Sequence, residues 1–238
     1  MLVRHGESVW NAVKRWQGQA DSPLSENGRR QALAVAGRLA VEEPPPRFAA
    51  LWSSDLGRAR ETAAVLADAM GIAEIRLDPR LREAEAGPWE GLTPTEIERR
   101  WPGWLADDRR PDGFEPLEEL TARALAVCDD LMPGPDGTAD TARGTGEPDD
   151  PVMPDDPVMA VTHSGLIRTL RRHLGVDDVR IPNLGGMWLG RRADGRPEPL
   201  GWFDGTMRPS PRPAPDPSPR SSFGSSFGSA PGSAPGER

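Results

Sequence analysis

Tyrosine is absent from these 238 residues, cysteine and lysine occur once each, and there are only three histidines. A single cysteine, Cys128, excludes an internal disulfide. Its place in the apolar pattern LTARALAVCDDLM marks it as a small buried helix residue rather than a nucleophile. No apolar run approaches 18 residues and no charged-then-apolar leader opens the chain, so a soluble, cytoplasmic protein without a membrane partner is expected. A formal charge of −8 gives nucleic acid and anionic membranes nothing to be drawn to.

What is abundant is glycine and proline, 26 and 27 residues, above a fifth of the chain against roughly 12% in ordinary proteins. The excess is local. Residues 208–238 read RPSPRPAPDPSPRSSFGSSFGSAPGSAPGER, too poor in apolar surface to offset the entropy of ordering, and are expected to be a disordered tail. Residues 133–157 form an acidic, Pro-rich stretch in which PDDPVM occurs twice in tandem. Its second copy runs into the apolar VMAVTHSG, so this insertion is expected to end in a strand. One domain over residues 1–207 remains, long enough to bury a sizeable core.

Within it, strand and helix signals alternate. LV before Arg4 is a strand end with only three residues ahead of Arg4, against the usual 5–6 of a central strand, so the first strand is expected to be clipped. ENGRRQALAVAGRLAV has helical spacing, FAALWSS reads as a strand, and DLGRARETAAVLADAMG reads as a helix capped by Gly71. IAEIRLDPRL is expected to be a strand with Glu83 at the end of its run, followed by a short helix broken at Pro102 and a longer one over EPLEELTARALAVCDDLM. VMAVTHSG is a strand and GLIRTLRRHLG a helix closed by Gly175. This alternation predicts an α/β fold, a sandwich around a mostly parallel sheet. Sites on such sheets gather at the carboxyl ends of strands, where Arg4-His5, Ser53-Ser54 and Thr162-His163 all fall.

His173 closes an arginine-rich helix and reads as solvated or dipole-stabilising. His5 and His163 are different. Each follows an apolar strand and stands close before a glycine (Gly6, Gly165), which permits close backbone approach beside a helix N-terminus open to an anion. Arg58, at a loop-to-helix junction on the same edge, and Glu83 complete a set of two imidazoles, two arginines and a carboxylate. That set suits phosphoryl transfer through a phosphohistidine. A neutral imidazole with one nitrogen held by a backbone acceptor attacks, guanidiniums neutralise the equatorial oxygens, and a carboxyl protonates the leaving alkoxide and then activates water. The arginines would do what magnesium does elsewhere. Two isolated histidines lacking DxD or HxxxH spacing make a metal site the poorer reading, and no cofactor is expected.

RHGESVWN, SSDLGRARETA, LREAEAGPWEGLT and VTHSG, in that order over roughly residues 1–190, resemble the signatures of the histidine phosphatase superfamily, phosphoglycerate mutase-like branch. The resemblance implies a three-layer α/β/α sandwich and metal-free chemistry on a small phosphorylated metabolite. It makes His5 the phosphorylated nucleophile and Glu83 the proton donor. Arg4, Arg58 and His163 become the phosphate pocket, with Asn11, Gln17, Gly18 and Ser164 adding substrate contacts. Members of that family are often dimers, so a homodimer is expected. LREAEAGPWEGLT passes at once to a helix, without the longer insertion and LNERHYG stretch of cofactor-dependent mutases, which resembles the phosphatase branch. WQGQADSPLSENGRRQA, SSDLGRA and NLGGMW are similar to actinobacterial glucosyl-3-phosphoglycerate phosphatases. The alternatives are a phosphoglycerate mutase and an inactive phospho-ligand binding relative. PDGFEPLEEL departs from the GGES-type stretch of those phosphatases: Glu115 keeps the acid, but Phe114 and Pro116 stand where glycine and serine are usual, which bears on the pocket rim. Trp10 and Trp16 are candidate site-lining residues. Trp101, Trp104, Trp188 and Trp202 read as core or rim packing, and Glu85 is a lesser candidate for the acid.

Overall fold

The computed structural model describes residues 1–41, 48–132, 157–192 and 194–204. The 208–238 tail and, apart from Pro157, the 133–157 insertion lie outside the described residues. Six strands form one sheet in the order β3-β2-β4-β1-β5-β6: β1 (Leu2–Arg4), β2 (Ala50–Ser53), β3 (Ile75–Leu77), β4 (Val158–Thr162), β5 (Gly186–Arg191) and β6 (Pro197–Phe203). The first four run parallel. Strand β5 is antiparallel to β1, and β6 to β5. The helices are α1 (Val9–Ala12), α2 (Glu26–Val41), α3 (Gly57–Met70), α4 (Pro94–Arg100), α5 (Leu117–Leu131) and α6 (Ser164–His173).

The layers follow from the period-2 alternation of the central strands. Val3, Leu51, Met159 and Val161 pack with Val35, Leu39, Ala63 and Leu66 of α2 and α3. Leu2, Ala160 and Met187 face the other way, against Leu120, Val127, Leu166 and Leu170 of α5 and α6. The result is the expected three-layer α/β/α sandwich. A third, aromatic cluster centres on Trp89 and Ile97, with Trp16, Trp101, Trp104 and Phe114 against it. Cys128 is buried in the second core, where desolvation pushes its thiol up to about 12 and leaves it unreactive.

Local chemistry sets the ends of these elements. Ser25 Oγ accepts the Gly28 N–H to start α2, Thr93 and Glu96 form a capping box on α4, and Gly71 closes α3 in the left-handed region at φ 67°. The tandem PDDPVM repeat does end in a strand, since β4 begins at Val158. One expectation needs correction. IAEIRLDPRL is a strand only over Ile75–Leu77. Asp78 then caps a single 3-10 turn, Pro79–Leu81, by accepting the Arg80 N–H at 2.8 Å, so Glu83 and Glu85 sit on an irregular loop and not on a strand. The β5–β6 hairpin is an element that the sequence reading did not assign, because glycine and proline hide it from propensity. Strand β6 is an edge, where Pro197 and Pro199 cost no ladder bond on the open side. At Gly186 a Cβ would lie 1.9 Å from Leu2 O, so only glycine lets β5 approach β1.

Candidate functional site

Parallel register brings the two histidines together. Leu2, Val3 and Arg4 pair with Ala160, Val161 and Thr162, and the ladder continues one step as the His5 N–H donates to Thr162 O at 3.0 Å. His5 and His163 therefore leave neighbouring strands side by side, with ring centroids 5.0 Å apart. Strand β2 adds Ser54, whose N–H donates to Val161 O and whose Oγ lies 2.9 Å from His163 Nε2.

The environment of His5 fixes its chemistry. Its Nδ1 lies 2.6 Å from Gly6 O. A carbonyl only accepts, so Nδ1 carries the hydrogen and Nε2 keeps its lone pair. Burial, and then the charges of Arg58 and Arg4, hold the ring's pKa well below 6.5, so His5 is neutral at physiological pH. His163 is held down in the same way, by burial first and then by Arg58, His5, Arg4 and Arg123. Asn183 Nδ2 donates to His5 O at 3.0 Å, and Gly6 N–H donates to Thr62 Oγ1 at 3.0 Å, fixing the backbone around the ring.

Both guanidiniums are sunk in the protein. Arg58, on the first turn of α3 and fully buried, donates to Ala20 O at 2.9 Å and to Gly18 O at 2.8 Å. It thereby ties down the Gln17–Gly18 loop. Arg4 donates to Ile181 O at 2.7 Å and to Asn11 Oδ1 at 3.4 Å. Desolvation lowers its pKa to about 10, with Glu83 pulling the other way, and it stays a cation at neutral pH. Among the described residues Arg4 Nε, Arg58 Nε and His163 Nδ1 are buried without a hydrogen-bond partner, a costly state that an oxyanion would relieve.

Glu83 enters from the loop after the 3-10 turn. Its Oε2 accepts the Gly165 N–H at the start of α6 at 3.0 Å, and its Oε1 accepts the Ala84 N–H at 2.9 Å. A Cβ at 165 would lie 2.1 Å from Glu83 Oε1, so glycine there is what lets the carboxylate take this position. Arg4, His5, Asn11, Gln17, Gly18, Arg58, Glu83 and Ser164 all line one cavity of about 550 Å³. His163 is not among the lining residues, but its ring lies 5.0 Å from that of His5, which is. Trp16 lines the cavity as expected and Trp10 does not; Trp10 packs instead beside Gly91. Trp202 is more exposed than a core residue, with Arg171 over its ring. Glu85 is exposed and stays outside the cavity, exchanging bonds with Glu115.

Sequence reasoning missed the far wall. Lys14, Arg15, Arg110, Arg168 and Arg172 line it together with Leu117, next to Phe114, which was expected at the rim. For two of them a signal existed: Arg168 and Arg172 follow Ser164 at four-residue steps, one face of α6. Ser54 was placed at the right edge but not linked to His163. Among the described residues no group of three or more His, Cys, Asp or Glu side chains is arranged to hold a metal ion, and no helix is long and apolar enough to cross a membrane.

The sequence and the fold both have known relatives. The sequence is 37% identical over 211 residues to a glucosyl-3-phosphoglycerate phosphatase of Mycolicibacterium vanbaalenii, spanning 83% of this chain and 87% of that one. A solved mycobacterial glucosyl-3-phosphoglycerate phosphatase in complex with VO3 superposes with a TM-score of 0.68 at 31% identity, covering 84% of this chain and 96% of that chain. A probable phosphoglycerate mutase GpmB of an Enterobacter species is 41% identical over 144 residues, but these cover only 58% of this chain and 64% of that protein. The profile of the histidine phosphatase superfamily (branch 1) matches residues 1–185, and the chain belongs to that family.

Proposed function

We propose that this phosphatase hydrolyses a small sugar- or glycerate-type phosphate monoester through a phosphohistidine on His5. The observation that carries the reading is the neutral His5, its Nε2 lone pair free, in one cavity with Arg4, Arg58 and the Glu83 carboxyl. In the first step Nε2 attacks phosphorus while the ester P–O bond breaks and Glu83 passes its proton to the departing alkoxide. In the second, Glu83 takes a proton from water, the water oxygen attacks phosphorus, the N–P bond breaks, and phosphate leaves with His5 neutral again. Arg4 and Arg58 balance the charge on the transferring group. In the tautomer where Ser54 donates to His163 Nε2, the orphaned Nδ1–H donates to a phosphate oxygen. The proposed roles of Asn11, Gln17, Gly18 and Ser164 are substrate contacts.

The body of the substrate has the rest of the cavity, where Lys14, Arg15, Arg110, Arg168 and Arg172 outnumber Asp108 and Glu115 and share the lining with Trp16, Phe114 and Leu117. That mixture supports a leaving group that is polar, carries negative charge and has a ring or carbon face to pack. The phosphatase relatives, named for glucosyl-3-phosphoglycerate, support the same class.

The test has two parts. Substrate-treated enzyme quenched in base should carry one phosphoryl group on the peptide containing His5, and lose it in acid. A panel of phosphorylated metabolites should release inorganic phosphate faster than enzyme primed with 2,3-bisphosphoglycerate interconverts 2- and 3-phosphoglycerate. No label on His5 would end the mechanism; faster interconversion would make the enzyme a mutase.

A further inference from the structure

Glu83 is a reacting group that no strand or helix carries, so something else must hold its backbone. The loop leading to it has the carbonyls of Arg80, Arg82 and Glu83 aimed at one side chain. Arg123, on the inner face of α5, donates from Nη1 to Arg80 O at 2.8 Å and to Arg82 O at 2.7 Å, and from Nη2 to Glu83 O at 2.9 Å. Its two remaining donors go to Glu115: Nε to Oε1 at 2.6 Å and Nη2 to Oε2 at 2.7 Å. All five N–H groups of one planar guanidinium are used, and both partners are largely shielded, with side chains 18% and 11% exposed. Lysine, with three donors on one nitrogen, cannot reproduce that fan.

Glu115 completes the clamp. Besides pairing with Arg123 it accepts the Glu85 N–H on Oε2 at 3.2 Å, and its own N–H donates to Glu85 O at 2.9 Å. The acid loop is thus pinned on both sides of Glu83, at residues 80–83 by the guanidinium and at 85 by the carboxylate and backbone of residue 115. Downstream, the Glu83 carboxyl is aimed by the Gly165 N–H. Backbone from one side and carboxyl from the other leave it a single position in the cavity.

We propose that Arg123, backed by Glu115, is the positioning residue for the Glu83 carboxyl, setting its distance from the leaving-group oxygen. The inference rests on Glu83 being the acid, as proposed above. It accounts for a largely shielded ion pair that belongs to neither core, with Arg123 outside the cavity lining and Glu115 reaching it. It also gives the acidic residue of the PDGFEP stretch a task at the site.

The two esters of a test pair separate positioning from folding. p-Nitrophenolate leaves without help, whereas the alkoxide of glycerol phosphate needs a proton. The ratio kcat/KM reports only steps up to the first irreversible one, here phosphorylation of His5, so the shared dephosphorylation step drops out. For Arg123→Lys we expect kcat/KM on glycerol phosphate to fall about 100-fold and on p-nitrophenyl phosphate less than about fivefold, with Tm within a few degrees of the parent. A purely structural residue would lower both esters by one factor, the fraction folded; equal losses, or no loss in a folded variant, overturn the proposal. Should Arg123→Lys not fold, Glu115→Gln, which keeps shape while removing the charge, decides by the same ratio. Glu83→Gln is measured alongside. If it shows no ester selectivity, the acid assignment itself fails; if it does and the Arg123 and Glu115 variants do not, only the positioning role is lost.

Discussion

At one end of the site, His5, His163, Arg4 and Ser54 hang from the ends of three adjacent parallel strands, buried except for the half-buried Arg4, and fixed by ladder register. At the other, Glu83, Glu115 and Phe114 stand on loops whose geometry depends on side chains reaching across, above all Arg123. The first arrangement tolerates no slip, since moving β1 by one residue against β4 would turn His5 to the wrong face. The second is adjustable, because changing a loop residue re-shapes the rim while the sheet stays put. Chemistry common to many substrates therefore sits on the sheet, and the features that choose among them sit on the loops.

The comparison is tested most severely at His5. His5→Ala should lower kcat on any phosphate ester by about 10⁴-fold or more, with no substrate spared, as the loss of a covalent nucleophile does elsewhere. Near-parent hydrolysis of p-nitrophenyl phosphate would remove the strand end from the chemistry. A second substitution strikes the junction of the two ends. Gly165→Ala puts a methyl group 2.1 Å from Glu83 Oε1, so the carboxyl must swing away and kcat on an alkyl ester should fall about 100-fold. Gly37, exposed in α2 with nothing within 4 Å of a Cβ, is the control. Gly37→Ala should leave kcat unchanged and stabilise the fold by about 0.5–1 kcal/mol in urea melts. If the Gly165 variant is as active as the Gly37 one, the α6 N-terminus does not hold the acid.

Acidification should find the strand end first. Burial and nearby arginines keep His5 and His163 neutral, their pKa values well below the 6.5 they regain on unfolding. Below pH 6.5 the unfolded chain thus binds more protons than the folded one, so stability is lost as pH falls and recovered as it rises. Each histidine contributes a slope of up to about 1.4 kcal/mol per pH unit, and His163→Gln should halve their joint share between pH 6.5 and 5. A flat stability profile across that window would mean that the histidines are not held neutral. By the same shifts, protonation of His5 should not limit kcat/KM at pH 6.

The strand end was legible because its residues are contiguous with the patterns that form the sheet. In LVRHG, ALWSS and VMAVTHSG an apolar run ends in the functional side chain, so recognising the strand locates the site. Register, which puts His5 beside His163, is a tertiary fact, yet it follows once both runs are read as parallel neighbours. The loop end lacked that support. Glu83 was found as a carboxylate at the end of an apparent strand run and given the wrong local structure, since IAEIRLDPRL has strand composition and only Asp78-Pro79 signals the turn that ends it. The Arg123–Glu115 clamp spans eight residues and serves carbonyls some 40 positions away, a pattern without periodicity. β5 and β6 were obscured because the glycines that allow close strand approach also erase strand propensity.

The smallest expected effect is at the rim, and it decides whether the two ends are separable at all. Phe114 meets Trp16 and Trp89 edge-on, at 6.2 and 5.9 Å between centroids, and Arg110 lies 5.3 Å over its ring. Phe114→Ala removes the surface on which that cation rests and loosens Trp16 beside the cavity, but touches neither His5 nor the Glu83 backbone. KM for a sugar- or glycerate-type phosphate should therefore rise about 3–10-fold, a loss of one stacking and cation–π contact, while kcat stays within about twofold. Gly at 114, the residue usual in the phosphatase relatives' stretch, should shift KM values among substrates and not uniformly, because it changes the shape of the wall and not only its charge. A fall in kcat matching that of Gly165→Ala would show that the rim helps place the acid, and the division between a rigid chemical end and a replaceable selective end would no longer hold.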